Sequence, residues 1–309
     1  MFSIDAVNLH WLEGAKEEVD LCLHGKAIAQ IGDEHFEYDA TVSSTALYLL
    51  KSLTEDHVMG QSNRILPCCG FSMFANEDLS SVEICGCNNG IDWSVLHEKD
   101  SVVLVTESGN RVEISTDEYR QTVFAFADKL ENFYKSATPK VLPTDEFDRN
   151  GYIAFWNEWT ARRYGELTSF ILNEDDNIRM GFADSNQKEQ IPPIYYAKVK
   201  TSDGRVVFNH DGVFQKNFAV VMDSEGKFGL INRNGIAVIP LQYDSISNII
   251  LKNIVFFRQG STCGFMNINQ TILAEYPNCT SFREVRNHMY AIEYNGGSEK
   301  KELDLTLFK

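Results

Sequence analysis

The first forty residues alternate between short apolar runs and residues that favour turns. Residues 19–24 alternate in part between apolar and polar side chains, residues 27–31 follow a glycine, and residues 35–38 follow Gly32 and Asp33. Glycine and aspartate suit the tight turns that join paired strands. This pattern predicts antiparallel strands at the start of the chain.

A first helical pattern begins near residue 43. Leu47, Leu50 and Leu53 recur every three residues, which places them on one face of a helix. Ser43 or Ser44 suits the N-cap, where a hydroxyl accepts a hydrogen bond from a free backbone amide. Further short strand-like runs follow this helix, before the next helical pattern begins.

The strongest helical pattern extends from about residue 116 to residue 136. Ser115 and Glu118 form a capping box, in which the hydroxyl and the carboxylate reciprocally satisfy free backbone amides. Pro139 ends the pattern. One apolar stripe runs along the helix and consists of Tyr119, Val123, Phe126, Leu130, Phe133 and Tyr134. The N-terminal region is therefore expected to be α+β, an antiparallel sheet with two helices against one face.

Polar residues and prolines then interrupt the apolar patterns and predict a domain boundary. Residues 139–150 have the composition of a linker, and residues 152–164 are expected to form a helix that ends in two arginines. We therefore expect an acidic α+β domain over residues 1–138, a linker and helix over residues 139–166, and an all-β array of hairpin repeats over residues 167–309.

The last part of the chain is self-similar. A five-residue motif with glycine in second place occurs three times. A second landmark follows each glycine by about eleven residues. The glycines are 48 and 35 residues apart, a period that indicates repeated supersecondary units packed on one another. The motifs are residues 180–184, 228–232 and 263–267, and the second landmarks are residues 191–195, 239–244 and 274–277.

The middle copy predicts its own hairpin. Asn234 and Gly235 separate two strand-like runs, and this pair is the strongest short hairpin signal because both residues tolerate positive φ. Pro240 cannot donate to a ladder, so it ends the strand or marks an edge. Gly229 follows the aromatic Phe228 and suggests a close contact at which a side chain would clash.

These residues resemble a WG repeat. The resemblance rests on residues 225–232 with Phe228 and Gly229, on Asn234 and Gly235, and on Pro240 and Tyr243 in the second landmark. Phe228 stands where the family usually has tryptophan. The resemblance covers residues 167–290 and implies a β-rich scaffold, found in bacterial proteins of many contexts and generally without assigned catalysis.

The N-terminal region resembles an uncharacterised bacterial domain. The resemblance is carried by residues 67–70 and residues 89–93, followed by Val95 and His97. It implies no activity. Proteins of this general make-up look like immunity partners of secreted bacterial toxins, and this association suggests a binding role.

Charge is distributed unevenly along the 309 residues, whose formal net charge is −16. Residues 1–140 contain 23 acidic and 10 basic residues, and residues 141–309 contain 21 and 18. A field of one sign repels nucleic acid and anionic membrane and attracts basic proteins. Solubility alone would also account for an acidic surface. We expect a protein partner, a basic one in view of the sign of the charge, and neither nucleic acid nor membrane.

The cysteines and the N-terminus favour the cytoplasm. The first ten residues lack the basic and apolar regions of a secretory signal, and the longest apolar runs are too short to span a bilayer. Seven cysteines, two of them adjacent, do not resemble a disulfide framework, which favours a reducing compartment.

Cys68, Cys69, Cys85 and Cys87 form the one cluster with metal-ligand character. In a strand Cys85 and Cys87 would share a face, whereas adjacent Cys68 and Cys69 would point apart. Structural zinc usually needs two Cys-x-x-Cys knuckles, which this spacing lacks. Buried cysteines that act as small apolar residues are therefore favoured, no cofactor is expected, and a structural zinc or ligand site at these four cysteines stays as the alternative.

Asp92, Trp93 and His97 are candidate interaction residues. The alternative is that Asp92 bonds the turn formed by residues 89–90 and that Trp93 belongs to the core. His57 and His97 could act as bases or metal ligands, but no neighbour in the sequence selects either one. An ordinary surface or hydrogen-bonded histidine is favoured for both.

The sequence contains no motif of the common catalytic or nucleotide-binding classes. It has no nucleophile elbow, phosphate loop, dinucleotide fingerprint or His-Glu-x-x-His pair. We therefore expect a non-catalytic protein-binding module, and most specifically an immunity protein that neutralises a bacterial toxin by occluding it.

Overall fold

Antiparallel strands dominate the regular structure of the protein. A computed structural model describes residues 1–61, 63–70, 72–174, 177–286, 289–294 and 297–305. The chain divides into two units, the first formed by Met1–Asn76 and Ser81–Arg163 and the second by Glu77–Ser80 and Tyr164–Lys309. The segment 139–166, expected as a linker and helix between domains, belongs to the first unit as far as Arg163.

The first unit combines three helices with ten strands in the described ranges. The sequence predicted two of these helices in the N-terminal domain and placed the third in the linker. The helices are α1 (Val42–Lys51), α2 (Thr116–Ser136) and α3 (Glu146–Tyr164), of which α3 runs one residue past the boundary. The strands are β1 (Phe2–His10), β2 (His24–Ile31), β3 (Glu34–Ala40), β4 (Leu66–Pro67), β5 (Ser72–Ala75), β6 (Val82–Cys85), β7 (Gly90–Ile91), β8 (Ser94–Glu98), β9 (Ser101–Val105) and β10 (Arg111–Ser115). No helix in the described ranges is long and apolar enough to cross a membrane.

Four small antiparallel sheets make up the strand structure of this unit. Their orders are β1-β2-β3, β10-β9-β8, β4-β7 and β5-β6. The sequence missed β1, and the run at residues 19–24 becomes a strand only from His24 onward. The preceding turn is held instead by Asp20, whose carboxylate accepts from the backbone amides of Leu12 and Cys22.

The helix caps were predicted with mixed success. At α2 the predicted N-cap is confirmed, since Ser115 Oγ accepts from the Glu118 amide at 3.2 Å. The reciprocal bond from the Ser115 amide to the Glu118 carboxylate stays a prediction. At α1 it is wrong, because Thr41 is the N-cap and makes no side-chain capping bond. Ser43 lies inside the helix, where its buried hydroxyl accepts from the Leu23 amide. A hydroxyl that serves a neighbouring strand in this way cannot be distinguished from a cap by sequence spacing.

Helix α3 contains a continuous buried stretch of ten residues. It begins at Glu146 rather than at residue 152, because Asp145 caps it by accepting from the Asp148 amide at 3.1 Å. Every residue from Gly151 to Thr160 is buried. A helix that is covered on all sides has no polar face, so its sequence shows no stripe from which its start could be located.

The second unit is a succession of antiparallel sheets in the described part of the chain, three with four strands and one with three. The sheets are β11-β12-β13-β14, β15-β16-β17-β18, β19-β20-β21-β22 and β23-β24-β25. The strands are β11 (Thr168–Glu174), β12 (Asn177–Ala183), β13 (Glu189–Lys200), β14 (Val206–Phe208), β15 (Phe214–Gln215), β16 (Phe218–Met222), β17 (Phe228–Asn232), β18 (Ala237–Tyr243), β19 (Ser245–Ile246), β20 (Ile254–Gln259), β21 (Thr262–Asn267), β22 (Ile272–Pro277), β23 (Cys279–Arg286), β24 (Met289–Tyr294) and β25 (Gly297–Asp304).

The three glycines of the repeated motif occupy equivalent positions in β12, β17 and β21. A Cβ at Gly181, Gly229 or Gly264 would lie 2.7, 2.6 or 2.2 Å from a backbone carbonyl oxygen of the next strand. In each case that oxygen belongs to the residue ten positions further along the chain, and the pairing register shifts beside it. Only glycine permits this approach, so the motif marks the point at which the next strand bends across its neighbour.

The motif also ends each time in the same hairpin turn. Asp184, Asn232 and Asn267 each accept a backbone hydrogen bond from the residue three positions on and donate one to the residue four positions on. Their side-chain oxygens accept from the amide four positions on. The third residue after each has a left-handed backbone and is Gln187, Gly235 or Gln270. Turns of the same form begin at Thr201 and Asp223.

The structure also shows the positions of the remaining landmarks of the middle repeat. Gly235 has a φ of +76°, but Asn234 is absent from the residues with positive φ, so the predicted two-residue turn is replaced by the longer one. Pro240 lies inside β18, at the edge of its sheet. Phe228 is half-buried and pairs with buried Tyr243 across the β17–β18 ladder.

One pair of cysteines is joined, contrary to the expectation from the sequence. Cys263 on β21 forms a disulfide with Cys279 on β23, and the two Cα atoms are 5.7 Å apart. Both belong to a buried cluster with Phe265 and Tyr290. The sequence could not show this pairing, because it depends on how two successive sheets pack.

Replacement of Gln187 or Gln270 by glycine is expected to stabilise the second unit by about 0.5–1 kcal/mol. Their φ values of +63° and +65° cost a non-glycine residue about 1 kcal/mol or more, and the greater freedom of glycine in the unfolded chain offsets part of the gain. Thermal unfolding followed by circular dichroism measures the effect. All four tryptophans lie in the first unit, so a transition that tryptophan fluorescence does not follow belongs to the second.

The matched control is Gly235→Ala. A Cβ there would meet Ile191 at an ordinary 3.5 Å, so the substitution tests the backbone conformation alone. We expect it to destabilise the second unit by about 1 kcal/mol. Equal stability of all three variants would show that these turns do not require a left-handed residue.

Candidate functional site

Three cysteines come together at the surface of the first unit. Cys68 and Cys69 follow β4, and Cys87 lies in the loop between β6 and β7. The three Sγ atoms all lie within 4.8 Å of one another. Cys68 and Cys87 are exposed and Cys69 is half-buried, so the group, here called the thiol cluster, faces solvent.

Backbone contacts between the two loops position the thiol cluster. Strands β4 and β7 pair, and the Cys68 amide extends the pairing by donating to the Asn89 carbonyl at 3.1 Å. A Cβ at Gly86 would lie 1.9 Å from the carbonyl oxygen of Cys69, so only glycine lets the loops touch here. The Cys87 amide then donates to Cys69 Sγ at 3.1 Å.

The thiols of the cluster influence one another. The pKa of Cys87 is lowered, first by its hydrogen bond with Cys69 and then by the backbone at Asn89. The Cys87 amide favours the Cys69 thiolate, but the neighbouring thiols and burial oppose it and raise the pKa of Cys69. Partial burial, and after it the hydrogen bond with Cys68, raises the pKa of Tyr38 on β3.

Cys85 does not join the thiol cluster, so the four-cysteine alternative is reduced to three. It is the last residue of β6 and pairs with Ser72 on β5. The strand ends there, and Gly86 breaks the alternation that would have placed Cys85 and Cys87 on one face. Cys85 instead lies near Tyr48, whose pKa is raised first by burial and then by the charges of Cys85 and its neighbours.

A second polar arrangement joins His57 to Asp92. Their Nε2 and Oδ1 atoms are 2.8 Å apart, and the Asp92 side chain is only 1% exposed. The same carboxylate accepts from the Ile65 amide at 3.1 Å and lies 3.8 Å from the Arg64 guanidinium. Asp92 therefore bonds His57 and Ile65 rather than the turn at residues 89–90 that the sequence suggested.

A cleft of about 190 Å³ opens beside His57. On its rim Asp56 accepts from both the backbone and the ring of His97, each at 2.8 Å, and these bonds lower the pKa of Asp56. Hydroxyls that line the cleft have protein partners, since Tyr48 donates to the Ile84 carbonyl and Ser52 bonds Tyr119. This arrangement holds loops together and presents histidines beside carboxylates.

The three candidate interaction residues therefore differ in how deeply they are buried. Trp93 is completely buried and packs near Phe2 and Phe36, with ring centroids 6.4 and 6.2 Å away, so it does not face a partner. Asp92 is buried as well, and His97 alone lies near the surface. The sequence missed the pairing of His57 with Asp92, because 35 residues separate them and no local pattern connects them.

Acidic side chains collect along β3 and the turns at its start. Glu37 and Asp39 are exposed on the strand, and Asp33 lies in the turn before it. Glu34 accepts from the hydroxyls of Thr106 and Ser108 at 2.8 Å, and these bonds, that of Ser108 first, lower its pKa. The bonds bring the next acidic turn alongside. We call the resulting surface the acidic edge, and it consists of Asp33, Glu34, Glu37, Asp39 and Glu107.

The acidic edge belongs to the more acidic unit. The first unit contains 25 acidic and 13 basic residues, a net charge of −12, whereas the second has 19 and 15, a net charge of −4. Basic residues in the first unit are thus too few to neutralise its carboxylates. This unit keeps a field of one sign, which screening by salt weakens.

The outer face of the first sheet in the second unit differs in character from the acidic edge. Leu172, Val206 and Phe208 are 45–50% exposed there. Strand pairing places Tyr196 opposite Arg179 and Phe208 opposite Lys198, and directly paired residues share a face. This face combines apolar, aromatic and basic side chains, as protein-binding surfaces often do.

Comparison with protein-family models and with curated proteins finds no match to this chain. Among solved structures, a catalytically inactive virginiamycin B lyase from Staphylococcus aureus, solved with quinupristin, aligns over 95% of this chain and 97% of its own. The sequence identity is 11% and the TM-score 0.18. A likeness at this level carries no argument about fold or function.

The substitution Asp92→Ala is expected to destabilise the first unit by about 2 kcal/mol or more. It removes the acceptor of the buried Ile65 amide and of His57, and an unsatisfied buried group costs about 1–3 kcal/mol. Urea unfolding followed by tryptophan fluorescence measures this unit. The exposed control Asp33→Ala should change its stability by less than about 0.5 kcal/mol, and similar losses in both variants would contradict the role given to Asp92.

Proposed function

We propose that the protein is a non-catalytic binding protein and that its first unit takes a basic protein partner. The observation that carries this proposal is the net charge of −12 on the first unit beside −4 on the second. Complementary charge speeds encounter and selects against partners of the same sign. A partner with a basic surface fits the acidic edge, whereas nucleic acid and anionic membrane do not.

The second unit serves as the scaffold in this proposal. Three of its four described sheets share a glycine contact and a turn that recur with each motif, as expected of a repeat array of the WG type. Such arrays present an extended surface. The outer face around Tyr196 and Phe208 is the competing candidate for the partner's contact, because exposed aromatic and basic residues are typical of binding hot spots.

The most specific form of the proposal is an immunity protein that occludes a bacterial toxin. A nuclease toxin fits best, because its nucleic-acid cleft must be basic and would complement the acidic edge. Its support is the charge of the first unit together with the resemblance carried by residues 67–70 and 89–93. Survival of bacteria that produce a candidate nuclease only when this protein is also produced would support the immunity role.

A charge-reversal variant tests the acidic edge in the full chain. Asp33→Lys, Asp39→Lys and Glu107→Lys combined should weaken capture of a basic partner from lysate at least about tenfold, since they place like charges opposite one another. Raising salt from about 0.1 M to about 1 M shortens the screening length from about 10 to about 3 Å and should release the partner from the native protein. Quantitative pull-down followed by identification of the captured protein provides the measurement.

The matched control reverses three exposed carboxylates of the second unit. Glu189→Lys, Asp211→Lys and Glu275→Lys change the net charge equally and should leave capture intact. The double variant Val206→Ser, Phe208→Ser tests the competing face. A partner that is lost with this double variant but retained by the acidic-edge variant, or one without a basic surface, would contradict the proposal.

A further inference from the structure

The thiol cluster has the composition and spacing of a soft-metal site. Cys68, Cys69 and Cys87 bring three sulfur atoms within 4.8 Å of one another. Thiolates select soft ions such as Zn(II) and Cu(I) over Mg(II) and Ca(II), which prefer oxygen. We propose that these three cysteines bind one thiophilic metal ion, and this proposal does not rest on the protein-binding function proposed above.

The distances fit such an ion with little rearrangement. Sulfurs bound to one zinc ion at about 2.3 Å in tetrahedral geometry lie about 3.8 Å apart. The sulfurs of the cluster therefore need to approach one another by only about 1 Å. Cys68 and Cys87 are exposed, so their side chains can turn towards the ion without displacing core residues. Each thiol releases its proton to solvent as its bond to the metal forms.

The backbone contacts of the thiol cluster also favour metal binding there. The Cys87 amide donates to Cys69 Sγ at 3.1 Å, and hydrogen bonds of this kind to sulfur tune thiolate ligands in metal sites. The contact of Gly86 with the Cys69 carbonyl and the bond from Cys68 to Asn89 hold both loops in place. Binding thus requires no ordering of the backbone, which is the usual cost of assembling a site.

The site leaves one coordination position open. In the described part of the chain, no histidine or carboxylate joins the three sulfurs within the same distance. Zn(II) would take water or a ligand from solution in the fourth position, as three-ligand zinc sites do, whereas Cu(I) can remain three-coordinate. The two ions share the soft chemistry of the site, and titration with each separates them.

Metal titration of the reduced, full-length protein tests the proposal. Zn(II), Cu(I) and, as a spectroscopic substitute for zinc, Co(II) are added separately without oxygen, with Mg(II) as the hard-ion control. We expect one equivalent of Zn(II) or Cu(I) to bind, thiolate-to-metal absorption to appear, and Mg(II) to have no effect. Preference for Cu(I) without Co(II) ligand-field bands would identify a three-coordinate site, and the converse a zinc site.

Single substitutions assign the ligands. Cys68→Ser, Cys69→Ser and Cys87→Ser should each weaken binding at least about 100-fold, because even loss of a group that only supports a ligand costs 10–100-fold. Cys85→Ser is the matched control, since Cys85 lies two residues from Cys87 but outside the cluster, and it should bind like the native protein. Unfolding followed by tryptophan fluorescence shows whether each variant retains the fold of the first unit.

Three results would overturn the proposal. One is the absence of soft-metal binding by a folded protein whose three thiols react with a thiol reagent. Another is binding that survives Cys87→Ser, which would place the metal elsewhere, including at Cys263 and Cys279 after reduction of their disulfide. Loss of binding with Cys85→Ser as well would likewise contradict the assignment.

Discussion

The first unit depends above all on the hydrogen bond and ion pairs made by the buried carboxylate of Glu158. It is 4% exposed, accepts from the Val82 amide at 2.9 Å, and forms ion pairs with Lys51 and Arg162 at 3.2 and 2.8 Å. These bonds join α3 to α1 and to the start of β6. Removal of one partner from a buried ion pair is strongly destabilising. The loop that carries Cys87 leaves the end of β6, so the position of the thiol cluster depends on this carboxylate as well.

Sequence pattern predicted the elements whose signals are local. The N-cap Ser115 fixes the start of α2, and the repeated glycine motif locates the hairpins of the second unit, because each depends on neighbours within a few residues. Tertiary contacts decided the rest. The strand ends at Cys85, so the expected pairing of Cys85 with Cys87 on one face fails. His57 meets Asp92 only in the folded chain, and residues 151–160 of α3 are all buried.

The two sites proposed for the first unit, the thiol cluster and the acidic edge, adjoin each other at β3. Tyr38 lies beside Cys68 of the thiol cluster, and the next residue, Asp39, belongs to the acidic edge. A metal cation at the three sulfurs would add positive charge beside these carboxylates, although the protons released from the thiols offset part of it. Occupancy of the metal site and affinity for a basic partner would then influence each other to the same extent in both directions, as linked equilibria must.

Because α3 lies at the end of the first unit, it is the last part of that unit to be synthesised. Synthesis proceeds at about 5–20 residues per second, and until residues 146–163 emerge from the ribosome, the partners of this helix lack their cover. Tyr134, whose ring lies 5.0 Å from that of Trp156, would lack this neighbour in a nascent chain of 140 residues. A premature stop at that length would yield a product that chaperones and proteases recognise, although it contains every cysteine and carboxylate of both surfaces.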